Sequence, residues 1–234
     1  MNKRLAIVPA RGGSTRIPNK NIIDFCGKPL IIYSLEAARE SRLFDTIHVS
    51  TDSEKITNLI TKNGFSVDFR RPARLSTNNV SITSVLRWVV GEYDKKNTVF
   101  DEVCLLMATA PLITREDLLE AHSIFSARKM CLPLLSVAQF PAPIERAMRI
   151  NEKEILCFNE PSHKAAHSQH LSKTYFDAGA FAFFTKNQLA DSNESVYSDY
   201  IPYVLPKYKA VDINDPEDLH LAKRLYLGMQ RTTP

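Results

Sequence analysis

The densest chemistry in the chain lies in one short stretch, Pro9-Ala10-Arg11-Gly12-Gly13-Ser14-Thr15-Arg16-Ile17-Pro18-Asn19-Lys20-Asn21. The chain has only seven glycines, and two stand side by side here. A glycine pair lets the backbone approach a bulky anion and turn its amide protons toward it, while Arg11, Arg16 and Lys20 add positive charge at spacings that can surround a triphosphate. The stretch therefore predicts a phosphate cradle. Neither G-x-x-x-x-G-K-[ST] nor G-x-G-x-x-G is present, so it is neither a P-loop nor a dinucleotide fingerprint. The competing reading is a basic surface loop with turn glycines.

The elements that must hold this loop are legible as an alternation. Short β-branched runs at Leu5 to Val8, Thr46 to Ser50, Phe65 to Phe69, Glu102 to Met107 and Leu132 to Val137 read as strands. Between them, Leu30 to Arg39, Glu54 to Lys62, Ile82 to Tyr93 and Glu116 to Ala127 repeat apolar residues every three or four positions, the period of helices covering a sheet. That order builds an α/β fold with a mostly parallel sheet and helices on both faces. The loop follows the first strand, so it falls at a carboxyl strand edge, where ligands of open α/β sheets bind. Thr114 with Asp117 predicts a capping box, and Asp215-Pro216-Glu217-Asp218 predicts the start of a last helix. From Phe140 to Tyr175 the alternation breaks, with Pro141, Pro143, Pro161 and three of six histidines. Pro143 to Ile150 and Glu154 to Phe158 read as strands of a hairpin arm, an ordered excursion from about 140 to 176 within a single domain spanning 1–234.

Composition bounds the class. At 234 residues, 44% hydrophobic and 24% charged, the chain can bury one sizeable core. A net charge of +4 suits small anionic ligands and falls short of a nucleic-acid footprint. No apolar run reaches the roughly 18 residues of a membrane span, and the apolar part of the amino end is too short for a signal peptide. A cytoplasmic chain is the expectation. Cys26, Cys104, Cys131 and Cys157 form no C-x-x-C pair, and they read as reduced and largely buried.

The loop, together with Phe25-Cys26-Gly27-Lys28-Pro29-Leu30, Val49-Ser50-Thr51-Asp52, Arg71-Pro72 with Leu75-Ser76, and Asp177-Ala178-Gly179, resembles the CMP-nonulosonic acid synthetases. The likeness runs from residue 4 to about 226. Gln139 to Ala147, Ser168-Gln169-His170-Leu171 and Tyr175 to Gly179 are most similar to the pseudaminic branch. The resemblance implies a Rossmann-like nucleotidyltransferase fold, and transfer of CMP from CTP to the anomeric hydroxyl of a nonulosonic acid with release of pyrophosphate. It places Arg11 and Lys20 on the triphosphate, Asn21 and Arg71 at the cytosine and ribose end, and Ala10, Gly12, Gly13, Ser14 and Arg16 around the nucleotide. Thr109, His167, Gln169 and Asp177 become candidates for the sugar. It also implies a homodimer in which the 140–176 arm packs on a second subunit.

Mg²⁺ is the implied cofactor, with Asp212 as the main anchor in Val211-Asp212-Ile213-Asn214-Asp215 and Asp215 as the second candidate. The family segment often reads Asp-Ile-Asp, and here its second acid is Asn214, a poorer ligand for a hard cation. Thr15 stands where sialic-acid members usually carry lysine, Met107 replaces a usual glutamine, and Ala180 another. Several positions keep two readings. Arg71 reads also as a solvated loop charge beside Arg70 and Arg74, Asp52 at its strand edge reads as a ligand contact or, with Ser53, as a helix cap, Asp215 also as a helix cap, and Thr109 and Asp177 also as turn residues. His163, His167 and His170 lack nearby cysteines and read as loop or substrate-facing groups, not zinc ligands. Rival acceptors are N-acetylneuraminic acid, legionaminic acid and Kdo. The rival functions are a catalytically inactive nucleotide-binding homologue and a hexose-1-phosphate nucleotidyltransferase.

Overall fold

The computed structural model describes residues 2–14, 16–159, 171–191 and 199–232. Its centre is a six-stranded sheet built from β1 (Arg4–Pro9), β4 (Thr46–Ser50), β5 (Glu102–Leu106), β6 (Leu134–Gln139), β9 (Tyr175–Thr185) and β10 (Ile201–Val204), in the order β10-β6-β9-β5-β1-β4. β1 pairs in parallel with both β4 and β5, and β10 with β6. Only β9 runs against its neighbours, between β5 and β6. Helices α1 (Leu30–Ser41), α2 (Glu54–Lys62), α3 (Ile82–Lys95), α4 (Arg115–Ala127), α5 (Lys186–Asp191) and α6 (Pro216–Thr232) complete the layers.

Strand periodicity explains why both faces are covered. Along β1, Leu5 and Ile7 pack with Leu86, Val89 and Tyr93 of α3 on one side. Val8 joins Leu35 of α1, Ile60 of α2 and Phe125 of α4 on the other. A strand buried on both faces must be apolar throughout, as Leu5-Ala6-Ile7-Val8 is. A third cluster holds α6, through Leu219 and Ala222, against Phe25, Leu30 and Tyr33. Here β2 (Asp24–Phe25) and β3 (Lys28–Pro29) form a small hairpin ahead of α1.

Helix starts follow local chemistry. Ser53 and Ser81 accept backbone N–H groups of Ile56 and Ser84 at the heads of α2 and α3, contacts of about 1 kcal/mol each. Thr114 and Asp117 form the expected capping box, and Asp117 also receives the Lys209 ammonium at 2.6 Å.

Three expectations change. Phe65 to Phe69 is not a strand. Gly64, at φ 78°, ends α2 and directs the Phe65 N–H back to the Ile60 carbonyl, and Phe69 then stacks on His48 at 4.4 Å and meets Trp88 and Tyr93 edge-on. Phe69 serves an aromatic cluster under the sheet edge, and Phe65 and Val67 pack against the main core, instead of forming a ladder. The cysteines are all unpaired, but only Cys104 is buried, and Cys131 is exposed. Within the arm, Ile144–Arg146 is a 3₁₀ turn, and the hairpin consists of the shorter β7 (Met148–Ile150) and β8 (Leu156–Phe158). No helix among the described residues is long and apolar enough to cross a membrane.

His48 is fully buried in β4. Tyr93 donates its hydroxyl proton to Asp68, so the His48 Nδ1–H donates to the Tyr93 oxygen at 3.2 Å. His48 Nε2 has no hydrogen-bond partner. Burial pushes the imidazole down to about 4. Between pH 6.5 and 4 the unfolded chain takes a proton that the folded one refuses, so stability falls as pH drops through that window, by at most ~1.4 kcal/mol per pH unit. Urea midpoints measured from pH 7 to 5 should show a shallower decline in His48→Gln than in the native chain.

Candidate active site

A cleft of about 340 Å³ opens at the carboxyl ends of β1 and β5. Its walls come from the loop after β1 (Arg11, Ser14, Arg16, Lys20, Asn21), from Arg71 and the segment that follows it, from Met107 to Thr109 after β5, and from Asn214 near the carboxyl end. β1 sits between β4 and β5, so the chain leaves its carboxyl edge toward opposite sides, which is where such sheets leave a crevice.

The four cations of the cleft share one property. Arg11 Nη1 donates to Asn78 Oδ1 at 2.5 Å. Arg16 Nη2 donates to Asn214 Oδ1 at 3.0 Å, and Lys20 Nζ to the Ile213 carbonyl at 2.5 Å. Arg71 gives Nε to Ser50 Oγ at 3.0 Å and Nη2 to the Ser50 carbonyl at 2.5 Å. Every acceptor is a neutral oxygen. The side chains are positioned, and their positive charge is left for a polyanion.

Burial shapes two of them. Arg71 is only 5% exposed, which removes the reading as a solvated loop charge, and desolvation brings it down to about 10 despite the nearby Asp52 carboxylate. Lys20 is lowered first by burial. Asp212 opposes that shift, and Arg16 and Arg11 add to it.

The glycine pair divides its work. At Gly12 a Cβ would lie 3.0 Å from Ser53 Cβ, so the loop packs so closely on the head of α2 that a side chain would force one of them to shift. The Gly12 N–H is taken by Asp52 Oδ1 at 2.9 Å, and Ser53, not Asp52, caps α2. Gly13 has open space where a side chain would go. Ala10 is buried, with its N–H bonded to the Ser50 carbonyl at 2.9 Å, so it anchors the loop from the core side. Asn21 is buried and donates to the Arg11 carbonyl at 3.0 Å.

Asp177, Gly179 and Asp212 meet through a bulge in β9. Leu135 faces Ala182, yet Val137 faces Asp177, so extra residues of β9 are pushed out of the ladder. Ser136 Oγ fills the gap by accepting the Phe181 N–H. Gly179, at φ 61°, would bring a Cβ within 3.2 Å of Asp212 Cγ. Asp177 Oδ1 accepts the Gly179 N–H at 2.8 Å, so its carboxylate shapes this turn while remaining exposed. Thr109 is buried and lines the cleft.

Asp212 stands one hydrogen bond behind the cleft wall, accepting from Asn214 Nδ2 at 2.7 Å. Asp215 caps α6, with Oδ1 accepting the N–H groups of Glu217 and Asp218. Its carboxylate is committed to the helix, so of the two acids expected to hold the metal Asp212 is the one left beside the basic loop, where Asp52 and Asp218 also lie. His167, Gln169 and Thr15 lie outside the described residues. The sequence alone singles out neither Asn78 nor a role for Ser50, which enters only as part of the Val49-Ser50-Thr51-Asp52 motif. Asn78 carried no motif signal, and the hold of Ser50 on Arg71 exists only through folding.

A family model described as Cytidylyltransferase matches residues 5–197. The pseudaminic acid cytidylyltransferase of Campylobacter jejuni is 39% identical over 224 residues, covering 96% of each chain. The CMP-N,N'-diacetyllegionaminic acid synthase of Legionella pneumophila is 27% identical, over 94% of this chain and 95% of its own. Among solved structures, a CMP:2-keto-3-deoxy-manno-octonic acid synthetase in complex with CTP superposes with a TM-score of 0.71 at 16% identity, covering 97% of this chain and 99% of the other, a likeness of fold. A family match over most of the chain, a full-length relative at 39% identity and a cationic cleft at the strand ends converge: this chain is a nucleotidyltransferase belonging to the cytidylyltransferase family.

Proposed function

We propose that the chain transfers CMP from CTP to the anomeric hydroxyl of pseudaminic acid, releasing pyrophosphate. The observation that carries this is the set of four cleft cations held by neutral oxygens. The choice of acid is supported by the 39% identity to an enzyme named for pseudaminic acid. In the reaction the anomeric oxygen bonds to the α-phosphorus while the bond from that phosphorus to the leaving oxygen breaks. The hydroxyl proton is lost, and pyrophosphate departs with the electron pair. Charge grows on phosphoryl oxygens and on the leaving group, so fixed cations lower the barrier without a covalent enzyme intermediate.

Arg11, Arg16 and Lys20 hold the triphosphate, with Gly12, Gly13 and Ser14 forming the turn beneath it and Ala10 anchoring that turn. Asn21 and Arg71 serve the cytosine and ribose end. Thr109 and Asp177 serve the sugar, a role the sequence also gives to His167 and Gln169, which lie outside the described residues. The donor set fits Mg²⁺: Asp212 offers one carboxylate, and among the described residues no three acidic, histidine or cysteine side chains converge to form a protein cage. Mg²⁺ commonly takes one or two carboxylates and completes its shell with phosphates and water. When bound, it neutralises phosphate charge as pyrophosphate leaves.

The arm exposes Ile144, Met148, Ile150, Ile155 and Leu156, with Ile150 71% accessible. Apolar residues so placed favour burial against a second copy of the chain, which makes the working form a homodimer. A single domain working in the cytoplasm completes the reading.

Arg11→Ala should lower pyrophosphate release from CTP by roughly 10²-fold, the scale for removing one transition-state charge partner; a native rate in that variant would remove the loop from the chemistry. In a panel of pseudaminic, legionaminic, N-acetylneuraminic and Kdo acids with CTP and Mg²⁺, pseudaminic acid should give the highest kcat/KM. Equal values would defeat the assignment of the acid, and no release with any of them would favour an inactive nucleotide-binding protein. Light scattering should report a dimer that Ile150→Asp with Leu156→Asp converts to monomer, and a native chain that is monomeric at micromolar concentration would overturn the role given to the arm.

A further inference from the structure

Asn214 occupies an unusual electrostatic position. One end of its amide meets Asp212 Oδ2 at 2.7 Å, and the other meets Arg16 Nη2 at 3.0 Å. The partners dictate which end is which, because a guanidinium only donates and an ionised carboxylate only accepts. Nδ2 must therefore face Asp212, and Oδ1 must face Arg16. Only an uncharged group with a donor at one end and an acceptor at the other can make both bonds. A carboxylate at 214 would satisfy Arg16 but set two anions against each other at the Asp212 side.

The backbone around it is fixed. The Asn214 N–H is held by Asp218 at 2.8 Å, and the preceding Ile213 is fully buried, with its carbonyl receiving Lys20. Asp212 is hemmed in from the other side by Gly179. Asn214 also lines the cleft, so it lies between the acid and the phosphate-facing cations.

We propose that Asn214 is a positioning residue whose amide ties Asp212 to Arg16 without adding a further carboxylate at that point, so that a divalent cation enters together with the nucleotide phosphates, not ahead of them. Before nucleotide binds, Asp212 is flanked by the cations Lys20 and Arg16 and by a neutral amide, and Asp218, the other carboxylate near Lys20, is occupied by the Asn214 and Asp215 N–H groups, so a free cation meets too little negative charge to be held. The phosphates bring the charge that completes the site. This inference rests on Asp212 being the metal-side carboxylate proposed above.

The test reads Mn²⁺ binding by electron paramagnetic resonance on the full chain without sugar, so no turnover occurs. Without CTP, Asn214→Asp should bind free Mn²⁺ about tenfold more tightly than the native protein, since affinity rises with ligand charge count. Asn214→Ala, lacking one hydrogen bond to each neighbour, should show no such gain and should bind CTP roughly threefold to tenfold more weakly. Thermal midpoints near the native value establish that both variants fold. A folded Asn214→Asp with native affinity for free Mn²⁺ would overturn the inference, as would Asn214→Ala binding CTP as the native chain does. With CTP present, Asp212→Asn separates the two claims: undiminished Mn²⁺ binding there removes the metal role of Asp212 itself, whatever the Asn214 variants do.

Discussion

Like charges must be gathered without being neutralised. Arg11, Arg16, Lys20 and Arg71 line one cleft, and left to themselves they would repel one another or collapse onto the nearest acids. The fold prevents both by giving each cation a neutral oxygen: a side-chain amide for Arg11 and Arg16, a backbone carbonyl for Lys20, and a hydroxyl with a carbonyl for Arg71. A hydrogen bond to such an acceptor fixes direction without cancelling the field, which is the preorganisation that electrostatic catalysis needs. The nearby acids are engaged elsewhere, Asp52 with the Gly12 amide and Asp215 with the head of α6.

That arrangement depends on parts far apart in the chain. Arg71 is held by Ser50 at the end of β4, beside β1 and its basic loop. Lys20 and Arg16 are held by residues almost two hundred positions away, in the segment leading into α6. The bulge in β9 makes room for that segment, since at 179 a left-handed backbone angle combines with an approach to Asp212 close enough that a Cβ would have to displace it, a pairing that glycine meets without strain. The same bulge is stitched to β6 through Ser136 and to the end of β5 through the Met107 N–H and the Ala180 carbonyl. Displacing any of these would move the cleft wall as well as the strand.

Beneath Arg71 lies a cluster built on the buried His48 and Tyr93, with the half-buried Phe69 and the exposed Asp68 interlocked with them. It explains how a run with the composition of a strand can be structural without pairing. Phe69 contributes its ring, Asp68 receives the tyrosine hydroxyl, and Arg70 and Arg71 then turn back toward Asp52 and Ser50. The aromatic cluster sets the path of the chain that delivers Arg71.

Much of this was open to inspection in the residues alone. The alternation of runs predicted the layered parallel sheet, the loop after β1 predicted a phosphate-facing turn, and Thr114 with Asp117 predicted a cap, because periodicity, glycine placement and capping are local properties. What the local pattern left undecided needed tertiary structure. Burial made Arg71 a fixed group instead of a solvated one, and packing of Phe65 and Val67 on the core and of Phe69 in the aromatic cluster took that run out of the sheet. Asp215 became a cap while Asp212 stayed beside the cleft, and Asn78, Ser50 and Asn214 became the holders of the cations. Each outcome depends on a partner many residues distant, and spacing along a chain carries no record of which distant atom will complete a hydrogen bond once the core has closed.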